Sequence, residues 1–82
     1  MTIADEVREF VLVSIIKPAR RKGEEKVYFV SGDIHKSMGL KNRYPLVCNA
    51  IDASIFLDYA KVNLVTREGP PESNTVKWIF SV

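Results

Sequence analysis

SGDIHKSMGLKNRYPLVCNAID, Ser31 to Asp52, holds two short amphipathic segments joined by a glycine and a basic turn that contains a proline. Ser31 suits a helix N-cap, and Asp33 suits the first turn, where a carboxylate meets the positive end of the helix dipole. Ile34 and Met38 are four apart and give that helix an inward stripe. Gly39 then fits the left-handed position after a helix end, with Leu40 packing back on it. Pro45 suits the first turn of a second helix. That helix is predicted to start near Asn42–Pro45 and to run to about Ala60, burying Leu46, Val47, Ala50, Ile51 and Ile55. The stretch therefore predicts helix, turn, helix.

Working outward, Thr2 followed by Asp5 forms a capping box with aspartate in the place of glutamate. Ile3, Val7, Phe10, Val11, Ser14 and Ile15 follow helical spacing, which predicts a first helix over about residues 3–16. The β-branched run Val11–Ile16 offers a strand as the competing reading. Pro18 is expected to end or kink the helix at about Lys17. If helix continues past it, Ala19–Lys22 carry the basic cluster and Gly23 stops it. KVYFV, Lys26 to Val30, has strand composition. Downstream, Lys61–Gly69 and Thr75–Val82 read as a hairpin around GPPESN, with Val62, Leu64, Val76, Trp78, Phe80 and Val82 inward.

With 82 residues the chain supports one domain and one modest core, and its 46% hydrophobic content excludes wholesale disorder. The net charge of +2 conceals an asymmetry. Residues 1–9 carry net −2 (Asp5, Glu6 and Glu9 against Arg8), while residues 17–26 carry net +3 (Lys17, Arg20, Arg21, Lys22 and Lys26 against Glu24 and Glu25). Residues 33–43 add +2, from Lys36, Lys41 and Arg43 against Asp33. Such a distribution makes a positive face on a nearly neutral protein. One cysteine, Cys48, excludes an internal disulfide and fits a reducing cytosol. The acidic start lacks a signal-peptide pattern, and Phe10–Ile16 is too short to span a bilayer. The expected location is cytoplasmic, on the nucleoid if the chain binds DNA.

The predicted order is helix, short strand, helix, turn, helix, hairpin, an α+β arrangement. In that order, and in the Gly39-Leu40 turn, the chain resembles the winged helix-turn-helix DNA-binding domains over almost its whole length. In that family the hairpin forms the wing. KNRYP, Lys41 to Pro45, is longer than the tight turn of the simplest helix–turn–helix proteins.

The resemblance implies that this turn and the start of the third helix sit at the mouth of the DNA major groove. Lys41 would then pair with phosphate, Arg43 with phosphate or a guanine edge, and Tyr44 with a phosphate or sugar. Asn42 reads instead as a plain helix cap. Asn49, one turn beyond Pro45, has the chemistry for a bidentate adenine contact, although Asp52 and Asp58 on the same predicted helix would repel phosphate. KPARRK, Lys17 to Lys22, suits sequence-independent phosphate binding through Lys17, Arg20 and Arg21, and Lys36 is expected to contact phosphate as well. A solvated helix end would also carry such cations, but four in six residues exceed what a helix end needs. Arg67 near the wing tip is an optional minor-groove contact, weakened by Glu68 and Glu72.

Catalysis is not expected. Asp33 and His35 are two apart, which on a helix turns them about 200° from each other. His35 is the only histidine and reads as a surface residue, and Cys48 reads as a small core residue. No metal-ligand spacing, phosphate loop or nucleophile motif is present, so no metal, cofactor or small-molecule ligand is predicted. The expected partner is double-stranded DNA, with a homodimer formed through the apolar face of the first helix (Val11, Leu12, Val13, Ile15 and Ile16). A protein-interaction module on the same scaffold is the alternative reading, and RNA binding through Tyr28 and Tyr44 the third.

Overall fold

The structure is a computed structural model that describes residues 2–82. Thr2 starts the first helix as the sequence suggests. Its Oγ1 accepts from the Asp5 N–H at 3.1 Å, and the Asp5 carboxylate accepts from the Thr2 N–H at 3.2 Å. Helical backbone then continues through α1 (Ile3–Val11), a π-type turn (Leu12–Ile16) and α2 (Lys17–Arg21). Of the outcomes open at Pro18, the helix continues past it as far as Arg21. Proline lacks an N–H, and its ring presses on the carbonyl four residues back. The wider π turn, in which the Lys17 N–H reaches Leu12 O, makes the necessary room. The β-branched run is thus helical, and residues 3–21 form one rod of about 28 Å. Gly23, at φ +76°, follows the end of the rod.

Strands β1 (Lys26–Val30), β2 (Asn63–Glu68) and β3 (Lys77–Ser81) form one antiparallel sheet in the order β1-β3-β2. Val27, Phe29, Trp78 and Phe80 turn one face towards the helices. There the Phe29 ring lies 5.5 Å from Trp78 and 5.7 Å from Phe80, and Phe56 meets Phe80 edge-on at 5.4 Å. Tyr28 lies on the other face, with the Lys77 ammonium 4.9 Å from its ring centroid. The inward alternation of Val76, Trp78 and Phe80 is as expected, but Leu64 is exposed. Leu64 belongs to an edge strand, and a bulge between it and Thr66 breaks the alternation.

Three short helices, α3 (Ser31–Ser37), α4 (Tyr44–Asp52) and α5 (Ser54–Ala60), complete the α+β domain. Ser31 is not an N-cap. It is already helical and fully buried, and Val30 holds the cap position. The single helix expected up to Ala60 is broken at Ala53, which is extended at φ −68°, ψ 138°. A straight helix would place Ile51 and Ile55 on one face. The break instead lets Ile51 and Phe56 share the core and leaves Ile55 58% exposed. Val7, Val11 and Ile16 of the rod pack against Val47, Cys48, Ala50 and Ile51 of α4 and against the sheet. Among the described residues, no helix is long and apolar enough to cross a membrane.

Candidate nucleic-acid interface

The corner between α3 and α4 is built around His35, which the sequence reading put on the surface and the structure buries at 6% exposure. Gly39, at φ +68°, reverses the chain, and Asn42, at φ 52°, turns it back again. Those two left-handed residues bring the Arg43 N–H to His35 Nε2 at 3.1 Å. A backbone N–H can only donate, so Nε2 is the unprotonated ring nitrogen and the neutral ring carries its proton on Nδ1. The imidazole also stacks on Tyr44, with centroids 4.0 Å apart and planes at 22°. His35 is therefore a peg under the corner. Lys41, Asn42 and Arg43 are exposed around it, while Tyr44 is half-buried. Asn42 does not cap the helix, because Arg43 occupies the N-cap position.

Pro45, Asn49 and Asp52 are the exposed residues along α4. Asp52 is not free to repel a phosphate. Its Oδ1 accepts from Trp78 Nε1 at 2.7 Å, and Arg67 Nε donates to its two carboxylate oxygens at 2.9 and 3.1 Å. Asp58, the other acid counted against this face, belongs to α5. Arg67 spends its remaining nitrogens on the carbonyls of Gly69 and Pro71, at 3.1 and 3.0 Å. It is the hub of the β2–β3 loop, not an arm free to enter a minor groove.

That loop lies against α3 and α4. Ser31 Oγ donates to Ser73 O at 2.6 Å and accepts from the Val76 N–H at 3.2 Å. Cys48 Sγ lies 3.4 Å from the same Ser73 carbonyl. Burial pushes the Cys48 thiol above its ordinary value, with hydrogen bonds from its neighbours opposing the shift. Two helices and the loop thus converge on one carbonyl oxygen.

The Lys17–Lys22 cluster sits elsewhere. Arg20 donates to the carbonyls of Ala60 and Lys61 at 2.6 and 2.7 Å, which closes the C-terminal end of α5. That brings Arg20 beside Lys61, two residues before Asn63, which like Lys26 pairs with Ser81 at one end of the sheet. The corner hangs from α3, which begins at the opposite end, where Val30 pairs with Lys77. Lys36 lies on α3, Lys41 and Arg43 in the corner, and Tyr44 and Asn49 on α4. Arg20 is tied to the end of α5 and not to that corner.

Sequence reasoning missed the Trp78–Asp52–Arg67 network, the His35 peg and Lys61. A core tryptophan signals that its indole N–H needs a partner. Nothing in the sequence says that the partner is Asp52, 26 residues away. Of the two aromatic platforms for RNA, Tyr44 is stacked on His35, while Tyr28 stays exposed with the Lys77 ammonium near its ring. Among the described residues, no three His, Cys, Asp or Glu side chains are grouped to hold a metal ion. No protein-family model matches the chain, and no curated protein and no solved structure is detectably similar to it.

Proposed function

We propose that this chain is a winged-helix DNA-binding domain, a transcription regulator or chromatin-type binder, that docks α4 and the preceding corner in the major groove. The observation that carries the reading is the His35 peg. It holds the corner by one backbone hydrogen bond and one stacked ring, and leaves Lys41 and Arg43 exposed at the N-terminus of α4. The positive end of the helix dipole adds to their charge. The sheet order β1-β3-β2 and the β2–β3 hairpin after α5 also fit a winged helix. Engagement of Asp52 by Trp78 and Arg67 removes the main electrostatic objection.

In this docking Lys36 and Lys41 neutralise phosphates, Arg43 takes a phosphate or a guanine edge, and Asn49 meets an adenine edge. The Tyr44 ring stays on His35 and contributes only its hydroxyl. Arg20 and Arg67 take no part, because each is bound within the domain.

Fluorescence anisotropy with duplex DNA at several salt concentrations tests the reading. Binding should weaken steeply with salt. Arg43→Ala should weaken it roughly 5- to 100-fold if the contact is to a base, and less, with a shallower salt slope, if it is to phosphate. Absence of duplex binding even at low salt would overturn the proposal in favour of a protein-interaction module.

A further inference from the structure

We infer that two copies of this chain pair through the outward face of residues 3–21, antiparallel, with the two-fold axis at Val13; this is independent of DNA binding. The wide apolar face that the sequence suggested for a dimer is not available. Val11 and Ile16 are fully buried in the domain's own core, and Leu12 and Ile15 pack against it. What remains on the rod is Val13, 52% exposed, above a groove of about 380 Å³ shared by Glu6, Glu9, Phe10, Ser14 and Met38. Its floor is apolar and its rim towards the start of the rod is acidic.

The charges along the rod say what covers that face. Lys17 follows Val13 by a little less than one turn across the π turn, and Arg21 follows Lys17 by four residues of α-helix, so all three stay exposed on one side of the rod. Glu6 and Glu9 precede it on the same groove. Among the described residues these four charges form no salt bridge within the chain, whereas Asp5 is held by Arg8 at 3.1 Å and Arg20 by the α5 carbonyls. The rod is thus acidic, then apolar, then basic, with its free charges on one face. Turned end for end about Val13, a second rod sets Lys17 opposite Glu9, both four residues from the axis, and brings Arg21 near Glu6. A parallel pair would set like charges together. The apolar patch is small, so the dimer is weak and its ion pairs make it sensitive to salt.

Sedimentation equilibrium of the full chain, without DNA, from about 1 to about 300 µM covers ordinary weak-dimer affinities. A reversible dimer that dissociates as salt rises is expected. Glu9→Lys and Lys17→Glu should each weaken it by roughly tenfold, because each contact occurs twice. The doubly charge-swapped chain should recover the wild-type constant, which also shows that the variants fold. Val13→Cys should oxidise to a covalent dimer, and Glu6→Cys should not. A monomer across the whole range, no recovery in the double swap, or equal cross-linking through Glu6→Cys would each overturn the proposal.

Discussion

Trp78 Nε1 donates to Asp52 Oδ1 at 2.7 Å, which ties the last residue of α4 to the centre of the sheet. Trp78 is fully buried on β3, so its N–H has no water to fall back on. Asp52→Ala should therefore cost about 1–3 kcal/mol, the usual penalty for orphaning a buried donor. Asp52→Asn keeps an acceptor for the indole and loses the ion pair to Arg67. Both partners of that pair are partly exposed, so this variant should lose only about 0–1 kcal/mol. Urea denaturation followed by tryptophan fluorescence measures both. Equal losses would mean that the ion pair, not the indole bond, holds the helix end.

The Arg43 N–H donates to a side chain across a turn, a bond that one substitution can remove. His35→Leu removes the acceptor, and the amide of Arg43 should then exchange hydrogen with solvent at least tenfold faster, roughly the loss of one hydrogen bond. His35→Gln places an oxygen near the position of Nε2 and should keep part of the protection. If the corner is what binds DNA, His35→Leu should also weaken duplex binding while His35→Gln retains more of it. Amide protection unchanged in His35→Leu would show that the corner does not depend on this residue.

Helix placement was legible in the sequence wherever local chemistry decides it. Thr2 and Asp5 announced a capping box, Gly39 a left-handed helix end, and the alternation of Val76, Trp78 and Phe80 an inward face. The errors fell where a tertiary contact overrides a local preference. Ser31 has the chemistry of a cap but is drawn inward by Ser73 and Val76, 42 and 45 residues away. Pro18 leaves a stop or a continued helix open, and the π turn before it decides for continuation. His35 and Arg20 are polar residues of a kind usually solvated, yet each pegs or caps a backbone group beyond its own element, while Arg67 holds its own loop. Of the nine residues expected to contact DNA, Arg20 and Arg67 are bound within the domain, which their spacing in the sequence does not show.

Gly32 is fixed by space rather than by backbone angle. A Cβ there would lie 2.7 Å from Asn74 O, a backbone atom that also accepts the Gly32 N–H at 3.1 Å. Gly32→Ala must push the β2–β3 loop off α3 and should cost about 1–3 kcal/mol, as overpacking commonly does. Gly39→Ala provides the contrast. It meets nothing within 4 Å, and its cost, about 1 kcal/mol, comes from its φ of +68° alone. Thermal melts of the two variants should rank Gly32→Ala as the less stable.

Cys48 should be inert in the folded chain. Burial raises its thiol above the ordinary range, and its Sγ faces Ser73 O. At mildly alkaline pH a thiol reagent should label native protein slowly and urea-unfolded protein at once. Stability should also fall as pH rises through the ordinary thiol range. There the unfolded chain gives up the proton while the folded chain still holds it, so the unfolded state binds fewer protons. Cys48→Ala should flatten that decline, and rapid labelling of the native thiol would contradict the account.

The Thr2–Asp5 box makes the start of the rod sensitive to acid. Hydrogen bonds from the Thr2 backbone and hydroxyl, with the Arg8 charge, hold the Asp5 carboxyl below its ordinary value. A depressed folded value means that the unfolded state binds the proton first as pH falls. Its contribution is therefore complete above the ordinary aspartate range and is lost as pH drops below that range towards the folded value. Asp5→Ala should lower the melting temperature at neutral pH, and the difference from the wild type should shrink by about pH 2. Thr2→Ala removes the hydroxyl half of the box and should cost about 1 kcal/mol at neutral pH. Measured together, the two variants should be less than additive, since each breaks the same reciprocal pair of bonds. A full-sized Asp5→Ala difference persisting at pH 2 would show that the side chain acts through packing and not through its charge.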